Sequence, residues 1–346
     1  MSCARPLIRF YNPNDHNVTG SIMSLKMAKV RFKNPDLTYN DVAFRKDCML
    51  IPCGKCLACR LRMRQDWQTR MELEATEWDK SEVWFLTFTY NEENVPGMIR
   101  STGEIKRGVG HSWKPGSEAP ETVSILLMED IVNFNKKLRR RQETSQNEYW
   151  GKDLRYFYAG EYGEQTGRPH YHGIYYGLSI PDLKKERGKN PYWRSESLER
   201  LWKYGNIIIA QAEPQTYGYV AGYVTKKMYA QDNKKYQELG LQPPQAGQSR
   251  NPGLGMAWFE KHKEELWTDG KIYLSGGKIA PMPRYFEKML EQEDPKRLWE
   301  IKAERQSRAI MALKDAQRQT DLNIEEQKAV KDYILRQKFK HRTGAL

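Results

Sequence analysis

The sequence predicts an α+β fold. Its core is an antiparallel sheet built in the order β-α-β-β-α-β, followed by a helix bearing two tyrosines. Three observations lead there. The segment VWFLTFTY (Val83–Tyr90) is rich in β-branched and aromatic residues, the mark of a buried strand. GRPHYHG puts His170 and His172 two residues apart, on the same side of a strand. YGYVAGYVTKKMY (Tyr217–Tyr229) sets Tyr219 and Tyr223 four apart, neighbours one turn apart on a helix.

The elements follow in order. Residues 1–59 have no clear periodicity and are expected to form an irregular arm holding all five cysteines: Cys3, Cys48, Cys53, Cys56 and Cys59. From Arg60 to about Lys80, Met63, Trp67, Met71, Ala75 and Trp78 recur three or four apart, giving a helix with an apolar stripe. Arg60, Arg62, Arg64 and Arg70 crowd its first half, placed either for phosphate or for solvent. After the Val83–Tyr90 strand, residues 91–122 hold many Gly and Pro and are expected to be a surface loop or small hairpin. Ile131, Phe134 and Leu138 share one face of a helix from Met128 to about Gln142. Strands Leu154–Gly160 and His170–Gly177 flank the turn-like EYGEQTGRP. A short helix, Ser195–Lys203, and a strand, Asn206–Ala212, precede the tyrosine helix, which spans about Pro214 to Tyr229. This order is the split βαβ, ferredoxin-like arrangement, in which helices cover one face of the sheet and leave the other free for a ligand.

Residues 230–255 are polar and predict a flexible linker. A helix near Met256–Leu266 follows. Lys296 to Thr343 contains neither Gly nor Pro and mixes charges of both signs, the pattern of a long exposed helix or a helical pair.

With 57 Lys+Arg against 44 Asp+Glu, a formal charge of +13, the chain is suited to a polyanion, of which nucleic acid is the commonest. Aromatics make up 12% of the residues, and rings beside cations suit stacked single-stranded bases, although most rings must be core. No stretch approaches the ~20 apolar residues of a membrane span, and the first residues lack the apolar run of a signal peptide. The protein is therefore expected to stay in the compartment that made it, with reduced thiols. CGKCLACR spaces Cys53, Cys56 and Cys59 as C-x2-C-x2-C, which suits one zinc ion, with Cys3 or Cys48 as the fourth ligand.

His170 and His172 sit roughly 6.6 Å apart along a strand, so both imidazoles can reach one ion. Glu161, in AGEYGE, is the best third ligand and Glu164 the second. A His/His/carboxylate set accepts Mg2+ or Mn2+ and leaves positions open for substrate oxygens. Tyrosine is a competent nucleophile once its phenolate is stabilised, and a phosphodiester beside a cation is its natural partner. Lys226 and Lys227, one turn after Tyr223, are placed to stabilise a phenolate or leaving group, or to bind the DNA backbone.

In combination these segments resemble the HUH endonuclease superfamily. FLTFTY (Phe85–Tyr90) resembles its first motif, GRPHYHG its second and YVAGYVTKK (Tyr219–Lys227) its third. With CGKCLACR and NPGLGMAWFEKH, the chain resembles the replication initiators of microvirus (gokushovirus-like) single-stranded DNA phages, over about Cys3 to Arg284. The resemblance implies a metal-dependent endonuclease and strand transferase acting at a replication origin. His170, His172 and Glu161 would hold the cation. Tyr219 and Tyr223 would be alternating nucleophiles, forming a 5′-phosphotyrosine and later rejoining the strand in rolling-circle replication. It matches the family's cysteines to Cys3, Cys53, Cys56 and Cys59, leaving Cys48 as an extra. It also implies a bacterial host cytoplasm. No GxxxxGK[ST] phosphate loop is present, so a host helicase and polymerase are implied as partners. The expected organisation is a Cys-rich arm and basic helix (1–80), a nuclease core (81–229), a linker and accessory segment (230–295) and a charged helical tail (296–346). A plasmid relaxase or transposase lacks the Cys cluster and the downstream motifs. A non-catalytic zinc-knuckle nucleic-acid-binding or packaging protein would explain charge, aromatics and cysteines, but has no need of His170, His172, Tyr219 and Tyr223 in register.

Overall fold

The computed structural model describes residues 3–10, 21–43, 45, 47–111, 120–144, 153–163, 166–187, 192–226, 236 and 240–343. They form two compact units, residues 64–262 and residues 1–63 with 263–346.

The first unit is built on a seven-stranded antiparallel sheet. Its main elements are helix α1 (Leu57–Ala75, of which Arg64 onward lies in this unit), β1 (Val83–Tyr90), α2 (Met128–Thr144), β2 (Arg155–Tyr162), β3 (Pro169–Tyr176), α3 (Glu196–Trp202), β4 (Gly205–Gln211), α4 (Pro214–Lys226) and β5 (Gln245–Gln248). Across the sheet the order is β4-β1-β3-β2-β5, with short strands Trp193–Arg194 and Lys184–Lys185 continuing beyond β4.

Period-two alternation divides the side chains between two cores. On one face Leu86, Phe88 and Tyr90 of β1, Tyr171 and Tyr175 of β3, and Ile207 and Ile209 of β4 pack with Ile131, Phe134 and Leu138 of α2 and with Leu198 and Trp202 of α3. Ser195 caps α3 by accepting from the Leu198 amide at 3.2 Å. On the other face Phe157, Ala159, Ile174 and Tyr176 pack with Met71 of α1 and with Tyr217, Val220, Ala221 and Tyr223 of α4.

Neither face is therefore wholly free, contrary to the expectation of helices on one side only. The apolar stripe of α1 and the apolar side of α4 both need burial, and the β2–β3 half of the second face supplies it. The β1–β4 half of that face stays open. Thr87 and Thr89 are half-buried there, Asn206 is exposed, and Ile208 is 41% exposed.

Three further expectations are corrected. Residues 91–122 are not simply a loop or hairpin: Pro96–Ile99, Ile105–Arg107 and Thr122–Ser124 form a small antiparallel sheet. Residues 230–255 are not all linker, because Gln245–Gln248 pairs with β2 as β5, and Leu254 is fully buried. The arginines of α1 that belong to this unit are not turned to phosphate. Arg64 donates to the Gly218 carbonyl at 2.8 Å, and Arg70 donates to the Leu254 carbonyl at 3.0 Å while lying over the Trp67 ring.

At the start of β4, a Cβ on Gly205 would lie 2.2 Å from the Thr89 carbonyl oxygen and 2.7 Å from the Asn91 nitrogen, both backbone atoms. Gly205→Ala is expected to cost about 3 kcal/mol, because the β4–β1 pairing must shift to admit it; chemical denaturation measures this.

The second unit shows that the N-terminal arm is not irregular. Leu7–Phe10 is the middle strand of a sheet, between Ile22–Met23 and Cys48–Ile51. Ile8, Phe10, Ala28, Leu37, Val42 and Cys48 form its small core. The tail is a helical pair, α5 (Pro295–Arg318) and α6 (Ile324–Thr343).

Candidate metal and tyrosine site

The β2–β3 hairpin builds the site. Its turn is closed by the Gly163 amide donating to the Arg168 carbonyl at 2.9 Å and the Gly167 amide donating to the Gly163 carbonyl at 2.7 Å. Gly167 has φ +62, a left-handed conformation that glycine adopts without cost. This turn sets a register in which Glu161 faces His170 and Ala159 faces His172. Glu161, His170 and His172 therefore share one face at adjacent positions.

Glu161 Oε1 lies 3.1 Å from His170 Nε2 and 3.8 Å from His172 Nε2, and the three residues' ligand atoms fall within 4.8 Å of one another. Cis ligands around an ion with bonds of about 2.1 Å sit about 3 Å apart, so this donor set fits one divalent cation. The expected ligands are thus brought together; the second choice, Glu164, lies outside the described residues. Glu161 and His172 are buried, whereas His170 is partly open.

Both rings have an outer partner at Nδ1. His170 Nδ1 is 3.2 Å from the Arg168 carbonyl, and His172 Nδ1 is 3.0 Å from Thr87 Oγ1. A carbonyl at Nδ1 calls for a proton there, which leaves the Nε2 lone pair toward Glu161 and a cation. Phe85 stacks on His172, with centroids 5.6 Å apart and planes 7° apart. Thr87 and Phe85 were not singled out in the sequence. Their alternation within FLTFTY is the signal, since both point to the face that β3 uses for its histidines.

Tyr219 and Tyr223 are both present, but they are not equivalent. Tyr219 is 48% exposed, and its hydroxyl is 3.4 Å from His172 Nε2. Tyr223 is only 4% exposed and lies parallel to His172, with centroids 5.5 Å apart. Burial, followed by the Glu161 carboxylate beside it and the hydrogen bonds to Glu161 and Tyr219, pushes the Tyr223 phenol far above its ordinary pKa. The two rings meet edge to face at 5.0 Å. Glycines precede both tyrosines. A Cβ on Gly218 would lie 3.1 Å from Gln68 Oε1, so α1 approaches α4 closely at that position. The side chain of Lys226 and the whole of Lys227 lie outside the described residues.

A hydrogen-bonded chain runs on the opposite face of β3. Tyr171, between the two histidines, donates to the Leu127 carbonyl at 2.6 Å and sits 2.9 Å from the Tyr90 hydroxyl. Tyr90 donates to Asp130 at 2.5 Å, and Asp130 is paired with Arg107 at 2.7 Å. This chain satisfies the polar group that β3 buries between its histidines and holds the strand in place.

In the other unit, the sulfurs of Cys3, Cys53, Cys56 and Cys59 lie within 4.8 Å of one another. Cys3 and Cys56 are 3.7 Å apart, and Cys53 and Cys59 are 4.0 Å apart. A tetrahedral ZnS4 site with bonds of about 2.3 Å has S···S edges of about 3.8 Å, so this set fits zinc. The amides of Lys55 and Cys56 each donate to Cys53 Sγ at 3.4 Å. Burial raises the Cys53 pKa, but these amides and the neighbouring thiols outweigh it and bring it down to about 7. The choice of fourth ligand falls to Cys3. The pairing of Leu7 with Ile51 carries Cys3 toward Cys53, whereas Cys48 is fully buried in the arm's apolar core.

Comparison with known proteins accords with this geometry. Residues 83–228, which hold every metal and tyrosine candidate, match the family described as replication-associated protein ORF2. The chain is 29% identical over 306 residues to replication-associated protein ORF2 of Spiroplasma virus 4, covering 85% of this chain and 81% of that one. It is 28% identical over 274 residues to replication-associated protein VP4 of Bdellovibrio phage phiMH2K, covering 78% and 76%. It is 25% identical over 252 residues to replication-associated protein ORF4 of Chlamydia phage 1, covering 70% and 54%. No solved structure matches it. The chain is thus a relative of the phage replication-associated proteins, and its residues 83–228 carry the pattern of the ORF2 replication-associated family.

Proposed function

We propose that this protein initiates rolling-circle replication of a single-stranded DNA phage genome, nicking the origin strand by tyrosine attack and later rejoining it, in the manner of HUH endonucleases. The observation that carries this reading is the exposed Tyr219 hydroxyl 3.4 Å from His172, beside a buried Glu/His/His ligand set. The β4-β1-β3-β2 order, antiparallel throughout, supports the ferredoxin-like core of that superfamily.

Mg2+ or Mn2+ held by Glu161, His170 and His172 would supply positive charge against the scissile phosphate. Tyr219 Oη attacks phosphorus, and the Oη–P bond forms as the P–O3′ bond breaks. The phenol proton is released, and the leaving 3′ oxygen takes up a proton to become a free 3′-hydroxyl. The 5′-phosphotyrosine conserves the bond energy, so rejoining by a 3′-hydroxyl needs no nucleotide cofactor. Lys226 and Lys227 follow Tyr223 by one turn and are placed for phosphate or phenolate charge. The open β1–β4 strip, with Thr87, Thr89 and the apolar Ile208, gives the strand a bed beside Tyr219. The cysteine cluster holds a structural zinc. A host helicase and polymerase complete the replication machinery in the host cytoplasm.

The test is incubation with Mn2+ and end-labelled single-stranded oligonucleotides tiling the source replicon, followed by denaturing protein gels. A covalent DNA–protein band that requires the metal is expected. DNA binding without any covalent band would favour a non-catalytic nucleic-acid-binding or packaging protein.

A further inference from the structure

The C-terminal helix α6 brings one cation inward. Its first turns face the arm through Ile324, Gln327 and Lys328, spaced as one helical face, and Ile324 is fully buried. Farther along, Val330, Tyr333 and Ile334 are exposed, so these first turns fix the helix. Glu325 accepts from the Tyr39 amide at 2.8 Å, and the Tyr39 hydroxyl donates to the Pro6 carbonyl at 3.0 Å. The Lys328 ammonium lies 4.5 Å from the centre of the Tyr39 ring. Its nitrogen is buried with no hydrogen-bond partner among the described residues.

A buried ammonium with no acceptor is costly unless a charge compensates it. Burial lowers the Lys328 pKa; the Glu325 carboxylate and Cys3 oppose that, and Lys331 adds to it. Tyr39, on which Lys328 rests, also feels the charges of Cys3 and Cys53. Glu325 is already engaged with the Tyr39 amide. The remaining anionic neighbour is the thiolate cluster, and four thiolates around one Zn2+ leave a formal negative charge of about two units.

We propose that Lys328 compensates the charge of the Cys3/Cys53/Cys56/Cys59 metal site, so that zinc binding and docking of the C-terminal helix are linked. The inference rests on the zinc reading of that cluster. It gives the tail a task that its alternating charges do not disclose: α6 brings to the arm the charge that its thiolates require. Lys328 acts through the ligands' electrostatics and is a positioning residue, like the outer partners that tune other metal sites.

The experiment uses the full chain as wild type, Lys328→Met and Lys328→Arg. Zinc content is measured first, then Zn2+ affinity by competition with a chromophoric chelator, then thermal stability of each protein with and without zinc. Lys328→Met is expected to weaken zinc binding about 10–100-fold. Lys328→Arg should restore most of the affinity. The metal-free Lys328→Met protein should melt higher than metal-free wild type, because an uncompensated buried charge is gone. Opposite signs in the two states separate charge compensation from a merely structural role. In wild type, stripping the zinc should increase amide exchange over residues 324–343. Wild-type zinc affinity in Lys328→Met, or unchanged exchange in α6 on metal removal, would overturn the proposal. Absence of zinc from the wild type, with no uptake of added Zn2+, would remove the zinc reading and the proposal together.

Discussion

Tyr219→Phe is expected to lower first-strand nicking by about 10³-fold or more, whereas Tyr223→Phe should leave that first nick within about threefold of wild type. Spacing alone makes the two tyrosines equal candidates, and the family resemblance casts them as alternating nucleophiles. Their surroundings differ. Tyr219 is half open beside His172, while Tyr223 is buried and its hydroxyl is held by Glu161 and Tyr219. A nucleophile has to reach phosphorus, and in this conformation only Tyr219 stands where a strand on the open side of the sheet can meet it. Tyr223 must leave Glu161 to act, which suits a second transfer after the site has been reorganised by bound DNA. Tyr223→Phe should therefore fail at rejoining or at the second cleavage. The check is a two-step assay: nicking of a first labelled oligonucleotide, then transfer to a second. Equal loss of the first nick in both single variants would show that the two hydroxyls are interchangeable despite their burial.

The second large effect concerns the ligand set. His170→Ala combined with His172→Asn should reduce cleavage about 10³-fold or more while changing single-stranded DNA affinity only a few-fold, because phosphate contacts by Lys and Arg dominate affinity. Asparagine at 172 limits the cavity left among Phe85, Tyr219 and Tyr223, the rings that His172 touches. Thermal melting confirms the fold, and gel shifts at two salt concentrations measure binding. Cleavage persisting in this variant would remove Glu161, His170 and His172 from the chemistry.

Much of the candidate site was legible because it rests on local periodicity. A period of two places His170 and His172 on one face, and a period near four places Tyr219 and Tyr223 on one helix side. The glycines in EYGEQTGRP announced the turn that aligns Glu161 with His170. What escaped the sequence depends on contacts distant along the chain. β5 is QAGQ, with no apolar alternation, and it forms by pairing its backbone with the edge of β2. The choice of Cys3 over Cys48 follows from the pairing of Leu7 with Ile51, which sequence spacing does not encode. The burial of Tyr223 depends on where α4 lands on β2 and β3. The second covered face follows from the stripe on α1, which was visible as a stripe but not as to which surface it would bury.

Whether Tyr219 forms the DNA linkage beside the Glu161/His170/His172 set can be measured directly. The covalent complex formed with Mn2+ on the origin oligonucleotide is trapped, protein and DNA are digested, and the modified peptide is identified by mass spectrometry. The expected product is a nucleotide linked through a 5′-phosphate to Tyr219, absent when metal is chelated. A first-cleavage adduct on any other residue, or one that forms equally well without metal, would contradict that assignment.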